Sequence, residues 1–133
     1  MLWASQVAVG NENGLKLRIY GTKGGLEWTQ ADPNYLWFTR FGQPKQLLTR
    51  AGAGALPEAA RVSRVPSGHP EGYLEGFATI CAEAARAIRA ARTGAPPDAG
   101  TIYPTVRDGL AGMRFIEAAV ASSKAGNIWT KAG

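Results

Sequence analysis

Three observations predict an α+β fold for this chain, with strands first and helices after. The first fifty residues alternate short apolar runs with turn residues. The loops between those runs are short, which favours antiparallel neighbours. Beyond residue 70, apolar positions recur at helical spacing in two segments. The expected architecture is a mostly antiparallel open sheet with two main helices on one face and its other face free for another domain or subunit.

The strand half is expected to run as follows. Leu15, Leu17 and Ile19 alternate with Lys16, Arg18 and Tyr20, the period-2 pattern of a sheet with unlike faces. Trp3 to Val9, Gly25 to Thr29, Tyr35 to Phe41 and Lys45 to Arg50 are further strand candidates. Between them lie Gly10–Gly14, Gly21–Gly25, Asp32–Asn34 and Gly42–Pro44, all of turn composition. Strand 35–41 is apolar on both sides, with Tyr35, Trp37 and Phe41 on one and Leu36 and Phe38 on the other. Two helices cover only one side of a sheet. Trp3, Trp28, Tyr35 and Trp37 are therefore expected to form an interface on the second face.

Residues 51–68 change character: Ala51–Ala55 is a loose excursion, and Val62 to Val65 is a candidate edge strand. Pro70 is placed to open a helix, since proline is tolerated at the first helical position. Tyr73, Phe77, Ile80, Ala84, Ile88 and Ala91 give that helix one buried stripe, and Gly94 with Pro96 and Pro97 ends it. A second helix starts at Thr105, where Asp108 completes a capping-box pattern. Its stripe is Val106, Leu110, Met113, Ile116 and Val120, with Lys124 and Gly126 as stop signals. Gly109, Gly112 and Ala119 leave room for close packing, and Asn127 to Thr130 is a last short strand candidate.

Composition excludes several classes. At 133 residues and 45% hydrophobic content the chain can bury a core and is not a disordered tail. No apolar run approaches the roughly 18 residues of a membrane span. One cysteine, Cys81, allows no internal disulfide, and a cytoplasmic location follows by default. The net charge is +5, but the basic residues are scattered along strands and helix faces. Nucleic-acid binding needs a concentrated basic footprint. One histidine and one cysteine cannot make a structural zinc site. Gly21-Thr22-Lys23-Gly24-Gly25 lacks the spacing and the Ser/Thr of a phosphate loop and lies in a hairpin. Neither a Gly-x-Ser-x-Gly elbow nor a dinucleotide fingerprint occurs.

Gly68-His69-Pro70-Glu71-Gly72-Tyr73 is the exception. It puts the only histidine at the expected N-cap of the first helix, where an imidazole can donate or accept a hydrogen bond to a substrate hydroxyl or carbonyl. The alternative is a histidine that only caps the helix and meets solvent.

Ser5–Ala8, Asn11–Leu15, Ile19–Trp28, Gly68–Tyr73, Tyr103–Gly109 and Phe115–Gly126 stand in one order along nearly the whole chain. Together they resemble the C-terminal domain of the glucose-fructose oxidoreductase / inositol dehydrogenase / MocA (Gfo/Idh/MocA) family. The resemblance implies a two-domain NAD(P)-dependent oxidoreductase acting on a sugar or polyol. An N-terminal Rossmann domain would bind NAD or NADP. This domain would complete the substrate pocket, with His69, Glu71 and Tyr73 as substrate-binding candidates, and form a homo-oligomer through its open sheet. The family's Gly-rich loop, its Glu-Lys-Pro motif and its Asp/His helix have no counterpart here. The chain is therefore expected to be one part of a longer enzyme, with no catalytic residue of its own and no cofactor bound alone. A rival expectation is a free-standing dimerisation or small-ligand-binding module.

Overall fold

Four strands and three helices follow one another along the chain in a computed structural model that describes residues 1–133. The strands are β1 (Lys16–Gly21), β2 (Gly24–Thr29), β3 (Tyr35–Arg40) and β4 (Gln46–Thr49), and the helices are α1 (Pro57–Val62), α2 (Tyr73–Thr93) and α3 (Val106–Lys124). The sheet is a meander of order β1-β2-β3-β4, antiparallel throughout. The α+β order expected from the sequence is present.

Register assigns the faces. Arg18 pairs with Glu27, Glu27 with Trp37 and Trp37 with Leu47, so these four share one face. Leu17, Trp28, Leu36 and Leu48 form the corresponding row on the other. The first row is amphipathic: Lys45 Nζ makes an ion pair with Glu27 at 2.9 Å and sits 5.0 Å from the centre of the Trp37 ring. The second row is almost wholly apolar.

The β1–β2 hairpin explains the run Gly21–Gly25. A side chain at Gly24 would strike the Thr39 carbonyl on β3, and one at Gly25 would lie 2.7 Å from Tyr20 Cδ1. These glycines admit the close approach of neighbouring strands.

Helix ends follow local chemistry. Gly72 caps α2, its N–H donating to Glu75 Oε2 at 2.9 Å, and Gly94 ends it in the left-handed region at φ 68°. Thr105 caps α3, donating through both N–H and Oγ1 to Asp108 Oδ2 at 2.7 Å. The first helix thus begins at Tyr73 and not at Pro70, because Gly72 and Glu75 supply the cap.

Other expectations need correction. Trp3–Val9 and Asn127–Thr130 form no strand, and Val62 closes helix α1, with Val65 in the loop beyond. That helix was missed because six residues carry too little periodicity to detect. The expected buried stripes of α2 and α3 are open instead: Phe77 is 53% exposed and Ile116 54%. A methyl group added at Gly109 or Gly112 would meet nothing within 4 Å beyond its own helix. Only Glu83 is buried in the whole chain. The accessible surface is 11308 Å², whereas a closed monomer of this mass exposes about 6,700 Å². The apolar stripes are present as patterned, but no other element of the chain packs closely against them. No helix is long and apolar enough to cross a membrane.

Candidate functional site

The loop between α1 and α2 folds against one end of the sheet. Within it, Pro66 to His69 make a turn closed by the His69 N–H to the Pro66 carbonyl at 3.2 Å, and Gly68 takes φ 87°, which favours glycine. At the sheet end Arg50, just past β4, donates its backbone N–H to the carbonyl of Asn34, just before β3, at 2.8 Å. Side chains then join loop and sheet. Asn34 Oδ1 accepts from Arg50 Nε at 2.9 Å and from the Glu71 N–H at 3.0 Å. The Arg50 guanidinium donates to the carbonyls of Val65, Pro66 and His69 at 2.9, 3.3 and 2.7 Å and is ion-paired with Glu71. The Glu71 carboxylate in turn accepts from the N–H groups of Arg64 and Val65.

The result is an open cleft of about 280 Å³ between Asp32, Asn34, Tyr35, Thr49 and Arg50 on the sheet side and Ser67–Pro70 on the loop side. Its lining is carboxylate, amide, phenol, hydroxyl, guanidinium and imidazole, with the Pro70 ring beside them. Such a wall combines several directional hydrogen-bonding groups with apolar surface, the mixture that orients a ligand bearing hydroxyls.

The sequence-predicted residues occupy different places. His69 is an exposed residue of the cleft wall, three residues before the α2 cap and so not itself the N-cap. Glu71 stands behind that wall with its carboxylate engaged by Arg50, Arg64 and Val65. Tyr73 is 78% exposed on the first turn of α2 and packs its ring on Phe77, centres 4.8 Å apart. Of the aromatic set, Tyr35 and Trp37 share the amphipathic face, and Tyr35 also lines the cleft. Trp28 lies on the opposite face, half-buried, its indole N–H donating to the Pro33 carbonyl at 3.1 Å. Trp3 is 74% exposed in the irregular N-terminal segment. The four aromatics therefore do not make one surface, because one residue of offset along a strand reverses the face.

Two clusters escaped the sequence reading. One is Asn34 with Arg50, whose partners lie 15 to 37 positions away in sequence. The other is Glu83, whose carboxylate accepts from Arg61 at 2.6 Å, Arg86 at 2.7 Å and the Ile102 N–H at 2.9 Å. The Arg61 hydrogen bond and then the Ile102 N–H hold this carboxyl below the usual carboxylate range. Only the Arg86 spacing, three residues along one helix, was visible as a local signal.

The family model for the oxidoreductase family, C-terminal alpha/beta domain, matches residues 1–131. The uncharacterized oxidoreductase YfiI of Bacillus subtilis is 33% identical over 132 residues, which are 98% of this chain and 33% of that protein. A crystal structure of an oxidoreductase from Sinorhizobium meliloti is 68% identical, with a TM-score of 0.84 over 96% of this chain and 35% of its own. An inositol dehydrogenase homolog from Azotobacter vinelandii, solved with NADH and myo-inositol, is 35% identical with a TM-score of 0.84, over 97% of this chain and 34% of its own. The chain spans about a third of the length of each.

Proposed function

The chain belongs to the Gfo/Idh/MocA oxidoreductase family through its C-terminal α/β domain, and from that premise we propose that it supplies the substrate wall and the oligomer interface of an NAD(P)-dependent sugar or polyol oxidoreductase. The observation that carries this reading is the polar cleft, where the turn bearing His69 meets Asn34, Tyr35 and Thr49. In the proposed enzyme the His69 imidazole hydrogen-bonds a hydroxyl of the substrate and orients its carbinol carbon.

The glycine-rich turn Gly21–Gly25 is used in strand packing, against Thr39 and Tyr20. A separate Rossmann domain is the proposed holder of NAD or NADP, and the bound nicotinamide supplies the hydride chemistry. The A. vinelandii homolog, with NADH and myo-inositol, supports both the cofactor and the substrate class.

Surface area supports a chain covered by more than one body. The excess over a closed monomer is roughly 4,600 Å², several times the ~800 Å² per partner of a standard interface. One two-fold contact is too small to account for it, whereas a second domain together with a neighbouring subunit is not.

The test is His69→Asn in the intact enzyme, asparagine keeping a polar side chain at the site. The proposal expects kcat/KM for the polyol to fall at least tenfold. A value within about threefold of wild type, under roughly 0.7 kcal/mol, refutes the assignment of His69.

A further inference from the structure

Residues 64–71 have no ladder to hold them: the only backbone hydrogen bond within the segment is the His69 N–H to Pro66. What fixes them is a pair of opposite charges. The Glu71 carboxylate takes up the N–H groups of Arg64 and Val65, while the Arg50 guanidinium takes up the carbonyls of Val65, Pro66 and His69. Each charge satisfies the backbone groups that the other cannot. Both side chains are shielded, 17% and 7% exposed, so water competes weakly for these bonds.

We propose that Arg50 is the positioning residue of the substrate site, setting the place of His69 through the His69 carbonyl and tying it to the register of β3 and β4. This rests on His69 being the substrate ligand. The arrangement requires arginine. A planar fork with five N–H donors reaches three carbonyls, an amide oxygen and a carboxylate from one point. A lysine ammonium keeps the charge but has three donors on one atom, and it leaves part of the loop backbone unpaired. Asn34 anchors the base of the fork by accepting from Nε at 2.9 Å. A sheet end thus dictates the shape of a loop that has little order of its own.

The experiment compares Arg50→Lys and His69→Asn in the intact enzyme. It measures KM for the polyol, KM for the nicotinamide cofactor, and amide hydrogen exchange across 64–71. The proposal expects Arg50→Lys to speed exchange of the loop at least tenfold and raise the polyol KM at least tenfold. The cofactor KM should stay within twofold, a split that general destabilisation does not produce. Faster loop exchange with a polyol KM within threefold, while His69→Asn is impaired, overturns the positioning role and leaves the His69 reading intact. A normal His69→Asn enzyme overturns both. If Arg50→Lys does not fold, Glu71→Gln decides: a polyol KM raised fivefold or more supports the clamp, and one within threefold of wild type overturns it.

Discussion

Arg50 Nη1 and Glu71 Oε2 meet at 2.5 Å, and the side-chain oxygen of Asn34 accepts from both residues. Neither charge is left partly paired, which is the condition under which a shielded ion pair is tolerated. The contact joins the β4 end of the sheet to the segment that enters α2. It is also the reason Glu71 serves the loop from behind while His69 fronts the cleft.

Self-association should depend on Trp37. It lies beside Tyr35 and Leu47 on the amphipathic face, 42% exposed, so a charged replacement there opens no cavity. In sedimentation at high concentration the wild-type chain should give a species of twice 14.1 kDa. Trp37→Glu should return it to the monomer with its helical circular dichroism intact. A wild-type chain that stays at 14.1 kDa contradicts the interface.

Two glycine substitutions should act with opposite sign. Gly24→Ala drives a methyl group into the Thr39 carbonyl and should cost about 1–3 kcal/mol. Gly109→Ala, in α3 with open space around it, should stabilise by up to about 1 kcal/mol. Urea denaturation of each variant measures both; equal effects would show that Gly24 is no steric requirement.

Much of this molecule was readable from local signals. Leu17 and Ile19 alternating with charged neighbours marked β1, and Thr105 with Asp108 marked the start of α3, because period and capping act over a few residues. The cleft was only half readable. His69 stood out as the sole histidine in a glycine- and proline-bounded run, but Asn34 and Arg50 are ordinary residues until the fold brings them to it. The aromatic face was misassigned at Trp28, since its side follows from the pairing with Leu36 and not from hydrophobicity. The exposed stripes could not have been foreseen from periodicity, which reports where apolar residues lie and not what covers them.

Acid should loosen the helical half. Glu83 is held below the usual carboxylate range by Arg61 and the Ile102 N–H, Glu75 by the Gly72 N–H, and Asp108 by the N–H and hydroxyl of Thr105. A carboxyl whose folded pKa is depressed stabilises above its unfolded pKa, about 4, and loses that contribution as pH falls through the folded value. Helical circular dichroism should hold steady from pH 7 to about 5 and decline below about 4. Glu83→Gln should remove part of that acid dependence. An acid profile identical to wild type would mean that the Glu83 cluster is not among its causes.

The most direct measurement is a crystal structure of the intact enzyme with reduced cofactor and a bound polyol. The account predicts the polyol in the cleft between Asn34, Tyr35 and the 66–70 turn, with one hydroxyl within about 3.2 Å of a His69 ring nitrogen. A polyol ordered elsewhere, with His69 in solvent and no contact to it, contradicts the account.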